Sequence, residues 1–252
     1  MDNCWIRIPR RQPGAVLQLV CLPHAGGSAG LYRTWAALMP DQVELLLICP
    51  PGREARLGAP FAASLPALVG DLARALRPAL TRPWALFGHS MGATVGHELA
   101  LALEREGHPA PRHLIVSARP APQDHRGGTV HRRDEAGLCA ELRRLGGTAP
   151  ELFACPELRE LVLPAVRADY RLIESYEARP DGPLDCPLTV FVGRDDPELT
   201  PEQAEGWRRW TRGRFATTVF PGGHFYLLDQ TASVVAAVVG ALREGGGLDD
   251  PG

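Results

Sequence analysis

Trp84-Ala85-Leu86-Phe87-Gly88-His89-Ser90-Met91-Gly92-Ala93 is the stretch that decides the fold. An apolar run ends in Gly-X-Ser-X-Gly and passes at once into a helical pattern beginning near Met91. A serine at such a strand-to-helix corner sits on a tight, strained turn with its hydroxyl thrust out of the sheet. Gly88 and Gly92 lack a Cβ, so the turn can close and the helix can pack against its own strand. Alone, the pattern also fits an ordinary connection with an N-capping serine. The strand before it and the helix after it supply the context that a nucleophile requires.

A serine nucleophile needs a base and a carboxylate, and both appear further along in the expected order. Leu188-Thr189-Val190-Phe191-Val192-Gly193-Arg194-Asp195-Asp196-Pro197 is a second β-branched run that ends in a turn carrying acids. Phe220-Pro221-Gly222-Gly223-His224-Phe225 follows a third apolar run, Phe215 to Phe220. Nucleophile, acid, histidine is the chain order of α/β-hydrolases. All three groups lie past the C-terminal ends of predicted strands, the edge of an open α/β sheet where sites form. A neutral imidazole can deprotonate the serine near neutral pH, while the carboxylate fixes its tautomer and stabilises the imidazolium. Asp195 and Asp196 both qualify by position; Asp196 is preferred and Asp195 is the alternative. His89 is expected to point sideways and shape the turn, and His97, inside the helix after the corner, to be structural.

Val16-Leu17-Gln18-Leu19-Val20-Cys21-Leu22 reads as a buried strand leading into Pro23-His24-Ala25-Gly26-Gly27-Ser28-Ala29. A His-Gly-Gly-like loop after this strand is where such enzymes place one oxyanion donor, the second being the N–H after the nucleophile. Ala25 and Met91 are therefore the expected oxyanion donors. The glycines do not make a phosphate loop: no Gly-Lys-Ser/Thr follows, and all 27 basic residues are arginine. The absence of lysine also excludes Schiff-base and Ser-Lys chemistry.

The 252 residues suit one α/β domain. A net charge of −2 favours neither nucleic acid nor a membrane surface. No apolar run approaches the roughly 18 residues of a membrane span, and no signal peptide is expected at the start. The six cysteines are scattered without metal-ligand spacing, so reduced thiols, a cytoplasmic location and no metal site are expected. Strands are predicted near 16–22, 43–49, 84–88, 113–118, 188–193 and 215–220, with a possible edge strand at Trp5 to Ile8. Helices are predicted near 31–39, 64–80, 91–106 and 231–243. This alternation implies a mostly parallel sheet with helices on both faces.

The rhythm breaks over residues 119–184. A Pro-, Gly- and Arg-rich stretch is followed by helical patterns at Asp134 to Leu145 and Glu157 to Tyr176. In the second, Leu158, Leu161, Val162, Ala165, Val166, Asp169, Ile173 and Tyr176 fall near helical spacing, and Pro164 is expected to kink or split it. Lying between the serine half and the acid–histidine half, this insert is expected to cover the site as a helical lid.

Pro23 to Ala29, Pro51-Gly52-Arg53-Glu54-Ala55-Arg56-Leu57, Gly88 to Ala93, Arg167-Ala168-Asp169-Tyr170 and Pro221-Gly222-Gly223-His224-Phe225-Tyr226-Leu227 together resemble the type II thioesterases. These are stand-alone partners of polyketide synthases and nonribosomal peptide synthetases. The resemblance runs along nearly the whole chain. It implies an α/β-hydrolase fold and removal of stalled or wrong acyl groups from the phosphopantetheine arm of carrier proteins, without cofactor. It also implies Ser90 as nucleophile, His224 as base, Asp196 as acid, and Ala25 and Met91 as oxyanion donors. The expected partner is an acyl-phosphopantetheinyl carrier domain, with the chain itself a monomer. Cys49-Pro50 departs from the larger or aromatic residue expected there, a matter of packing. Arg53 and Arg56 are read either as a solvated loop or as contacts for an acidic carrier or the arm's phosphate. The competing readings are a carboxylesterase, lipase or acyltransferase on the same fold, and a non-catalytic binding relative.

Overall fold

The computed structural model describes residues 4–178 and 182–248. Its strands are β1 (Ile6–Arg7), β2 (Leu17–Leu22), β3 (Val43–Ile48), β4 (Trp84–His89), β5 (Leu114–Ser117), β6 (Leu188–Gly193) and β7 (Phe215–Phe220). They form one sheet in the order β1-β3-β2-β4-β5-β6-β7. β1 runs antiparallel to β3, and every other neighbouring pair is parallel. Strands β2 to β6 are buried along their whole length. Both faces of a parallel sheet are covered, which is why these strands are apolar throughout rather than alternating. At the far edge, β7 is only partly buried.

The helices are α1 (Leu65–Leu76), α2 (Met91–Arg105), α3 (Glu135–Leu145), α4 (Pro150–Ala154), α5 (Pro156–Glu174), α6 (Pro201–Ala204), α7 (Tyr226–Asp229) and α8 (Thr231–Glu244). The Ser64 side chain caps α1 by accepting the Ala67 N–H at 3.3 Å, and Leu65, Leu68, Leu72 and Leu76 form its buried stripe. Burying one such leucine stabilises the fold by about 1.5–3 kcal/mol. α1 and α2 share one apolar cluster with the sheet. Tyr32, Trp35 and the inner side of α8 form a second cluster with Leu19, Phe87 and Phe191. α1 stops at Leu76 rather than reaching residue 80, because Pro78 directly follows its C-cap, Arg77. The helix expected near 31–39 is a 3-10 segment, Ala29–Ala37; its Gly30, Thr34 and Trp35 are weak α-helix formers. Cys21, Cys49, Cys139 and Cys186 are buried. Cys49 packs among apolar side chains of the second cluster, so the departure at this position is accommodated as a small hydrophobe.

Between β5 and β6 the chain leaves the sheet and makes α3, α4 and α5; residues 179–181 of this segment lie outside the described ones. α5 is one helix with Pro164 inside it, so of the expected kink or split the split does not occur. Its buried residues are Leu163, Ala165, Val166, Ala168, Asp169, Leu172 and Ile173. Leu158 and Leu161 are exposed, so the expected stripe is wrong over the first turns, where no core lies beneath them. The helix bridges two packings: Leu163 and Val166 join a small cluster with Val130, Leu138, Leu142 and Leu152, while Leu172 and Ile173 join the main core.

Candidate active site

Ser90 sits between β4 and α2 with φ 53° and ψ −119°, a backbone conformation that costs on the order of 1–3 kcal/mol outside glycine. The surroundings enforce it. A Cβ on Gly88 would lie 2.2 Å from the Gly92 carbonyl oxygen, and one on Gly92 would lie 2.3 Å from that of Leu22. The Ser90 N–H donates to the Ser117 carbonyl on β5 at 2.8 Å. Met91 opens α2, so its N–H belongs to the helical turn that lacks intrahelical acceptors, at the positive end of the helix dipole.

His224 follows β7 on the Gly222-Gly223 turn. Its Nδ1 lies 3.0 Å from each carboxylate oxygen of Asp196, and both side chains are buried. Asp196 also accepts the Glu198 N–H at 2.9 Å, which orients the carboxylate. The loops meet because Gly193 has no side chain; a Cβ there would fall 2.3 Å from the Gly223 carbonyl oxygen. Asp195, the alternative acid, is exposed and meets the histidine loop through its backbone N–H, which donates to the Gly222 carbonyl at 3.0 Å. Ala25, Ser90, Met91 and His224 line one cavity of about 1080 Å³, whose remaining walls include Arg119, Tyr170 and Ile173.

His89 does turn sideways. Its Nδ1 meets the Ser117 hydroxyl at 2.8 Å, and that hydroxyl meets the Tyr226 hydroxyl at 2.6 Å. The chain ties the serine corner to the helix that follows His224. Burial holds the His89 imidazole well below its ordinary pKa, with the charges of His224 and His24 acting in the same direction. His24 is pushed down to about 3, mainly by burial and further by His224 and Arg53. Both rings are therefore neutral near neutral pH. His97 is buried against Trp207 and Trp210, consistent with a packing role.

Arg53 is not a solvated loop residue. It is buried and pairs with Asp169 of α5, while Arg56 stacks on the Trp5 ring, 3.3 Å from its centroid. The same Asp169 oxygen accepts the Gly26 N–H at 2.8 Å. Burial pushes the Asp169 carboxyl up to about 6, against the Arg53 guanidinium and the Gly26 N–H, which both favour the anion. The sequence assigns no role to this junction, nor to Ser117 and Tyr226; its signals are the family-like segments that contain Arg53 and Asp169 and an aspartate at a core-facing position of an otherwise apolar helix stripe. Arg119 follows Ala118, a non-glycine residue with φ 54°. Its guanidinium contacts Thr94 Oγ1 at 3.1 Å and His125 Nδ1 at 2.8 Å. Among the described residues, no group of three or more His, Cys, Asp or Glu side chains could hold a metal ion, and no helix is long and apolar enough to cross a membrane.

Residues 17–242 match the family model for the thioesterase domain. The chain is 41% identical over 239 residues to a probable cadicidin biosynthesis thioesterase of Streptomyces griseus, a match covering 95% of this chain and 66% of that protein, just under two thirds of its length. It is 40% identical over 235 residues to thioesterase PikA5 of Streptomyces venezuelae, covering 91% of this chain and 82% of that one. Among solved structures, it is similar to the type II thioesterase BorB from the borrelidin biosynthetic cluster. The TM-score is 0.88 at 43% identity, over 96% of this chain and 99% of that one. The mostly parallel seven-stranded sheet with its helices is the α/β-hydrolase fold that the sequence led us to expect.

Proposed function

Because this chain belongs to the thioesterase family and is a hydrolase of thioesters, we propose that it frees acyl groups from the phosphopantetheine arm of carrier proteins in polyketide or nonribosomal peptide synthesis, removing stalled or wrong units. The observation that carries this reading is the convergence of the buried His224–Asp196 pair with Ser90, Met91 and Ala25 on one cavity. His224 takes the Ser90 proton as the hydroxyl attacks the thioester carbonyl. The Ala25 and Met91 N–H groups receive the oxyanion. The C–S bond breaks, and the proton on His224 leaves with the thiol. His224 then deprotonates a water that attacks the Ser90 ester; the bond from the acyl carbon to Ser90 Oγ breaks as His224 returns that proton to Oγ, and the acid is released. A thiolate is a good leaving group, so the scheme needs neither metal nor organic cofactor.

The segment at about 119–184 serves as a helical lid within a single domain. Support comes from Arg119, Tyr170 and Ile173, which share the cavity with Ser90. Such a cover excludes water and restricts entry. The family resemblance, and similar type II thioesterases named for an NRPS/PKS pathway, support the carrier-bound substrate.

The test is hydrolysis of a panel of acyl-phosphopantetheinyl carrier proteins beside p-nitrophenyl esters of the same acids. Carrier-bound thioesters are expected to have the higher kcat/KM, and Ser90→Ala to abolish turnover of both. A strong preference for simple esters would remove the carrier from the proposal, and undiminished turnover by Ser90→Ala would remove the nucleophile.

A further inference from the structure

We infer that Asp169 of α5 is a positioning residue for catalysis: its carboxylate, held by Arg53, anchors the His24–Gly27 loop so that the Ala25 N–H stays aimed at the reacting carbonyl oxygen. The inference rests on the proposed role of Ala25 as an oxyanion donor.

The loop needs an anchor. Gly26 and Gly27 are adjacent, and glycine has no side chain to confine its backbone. Gly26 adopts φ +79°, and a Cβ there would fall 2.5 Å from Val166 Cγ2. Val166 and Asp169 are three residues apart on α5 and so share a face, which places that face directly on the loop. The peptides after Ala25 are then fixed individually. The Gly26 N–H donates to Asp169 Oδ2 at 2.8 Å, and the Gly27 N–H donates to the His24 carbonyl at 2.9 Å. Ala25 is left on the cavity wall with Ser90.

Arg53 completes the device. Its guanidinium meets the same Oδ2 inside the protein, and Asp169 is 4% exposed, so an anion there requires a partner. Arg53 reaches this point from the Pro51-Gly52-Arg53 turn after β3. Three loops and helices that are distant in sequence therefore meet at one oxygen atom beside the catalytic cavity. Oxyanion stabilisation depends on donors that need no reorganisation at the moment of reaction. A buried ion pair serving stability alone would be replaceable by neutral groups of similar shape. One serving to position Gly26 is not replaceable by a group that lacks an acceptor.

The two roles separate in a comparison of Asp169→Ala, which removes the acceptor, with Asp169→Asn, which keeps an amide oxygen for Gly26. Each is assayed with a short-chain acyl-N-acetylcysteamine thioester and titrated with an alkylboronic acid, whose tetrahedral serine adduct places an oxygen in the oxyanion position. Asp169→Ala should lower kcat by roughly 10- to 100-fold, with KM within about threefold and boronate affinity falling in parallel with kcat. Asp169→Asn should retain most of kcat. A folded Asp169→Ala enzyme with kcat and boronate affinity within about threefold of the parent overturns the inference, as does a loss confined to KM. Should Asp169→Ala fail to fold, the double variant Arg53→Met/Asp169→Asn decides, because it keeps the acceptor and removes the charges. Near-parental kcat is then expected, and a roughly tenfold loss counts against the inference. Ser90→Ala in the same assay separates the two failures: if it is inactive while Asp169→Ala is unimpaired, only the positioning role falls.

Discussion

On one side of the cavity, the corner at Ser90 is held by backbone. Gly88 and Gly92 let main chain meet main chain, the Ser90 N–H bonds β5, and Gly193 lets the acid loop touch the histidine loop. On the other side, the segment between β5 and β6 is held by side-chain charge around a small apolar cluster. Arg133 pairs with Glu141 at 3.1 Å, Arg144 with Glu141 at 2.6 Å and also with Glu198, and Asp169 with Arg53. Backbone contacts leave little room for adjustment, which suits groups that must stay in register through a reaction. Charged side chains can exchange partners and respond to pH and salt, which suits a wall that admits and retains a substrate.

The contrast is tested most severely at the acid, where two adjacent aspartates occupy different environments. Asp196→Asn should lower kcat for thioester hydrolysis by about four orders of magnitude, because an amide favours the wrong imidazole tautomer. Asp195→Asn leaves the backbone bond to Gly222 intact and should change kcat by less than about twofold, as exposed substitutions generally do. Equal losses at the two positions would mean that the His224–Asp196 geometry does not govern the chemistry.

The next largest effect is expected on stability, measured by urea unfolding. Gly92→Ala places a Cβ 2.3 Å and 2.6 Å from the carbonyl oxygens of Leu22 and Pro23, neither of which is a side chain that can turn away. A loss of at least about 3 kcal/mol is expected. Gly107→Ala, in the turn that ends α2 where the His108 N–H bonds the Leu103 carbonyl, has φ +78° but meets nothing within 4 Å, so only the left-handed backbone is penalised, at about 1 kcal/mol. Comparable losses would show that the corner is less tightly built than the backbone distances indicate.

The same contrast explains what could be read from the chain. Buried parallel strands need unbroken apolar runs, so β2, β3, β4, β5 and β6 fall within a residue or so of their predicted positions. The glycine patterns around Ser90 and His224 are local and were visible as motifs. The charged wall was not, because its partners are remote: Arg53 and Asp169 stand 116 residues apart, and nothing in Pro51-Gly52-Arg53 marks its arginine as buried. Leu158 and Leu161 misled for a related reason. Helical spacing shows which residues share a face of α5, not how far the core extends beneath it. Pro164 does not split α5, because proline disfavours a helix interior without forbidding it when packing holds both sides.

A smaller effect sharpens the comparison by pH. His113, the residue before β5, is buried and bonded to Thr189 Oγ1 at 2.8 Å, and burial lowers its pKa from 6.5 to about 4. His125, on the cavity wall, is also lowered to about 4, by burial first and then by Arg119, with Glu174 opposing. For both rings the unfolded chain binds more protons between these values. Their contribution to stability is complete above pH 6.5 and is lost as pH falls toward 4, at up to about 1.4 kcal/mol per pH unit for each ring. The consequences differ with location. His113 ties the start of β5 to the fully buried strand β6, so protonating it weakens the sheet, and His113→Gln should flatten the decline in unfolding free energy between pH 6.5 and 4. His125 is half-buried beside Arg119, where water screens part of the charge and the surrounding segment can yield locally. His125→Gln should therefore leave the global slope nearer that of the parent and shift the acid side of the kcat/KM profile instead. An equal flattening by both variants would mean that the wall unfolds together with the sheet, and the difference between the two sides would then be one of construction only.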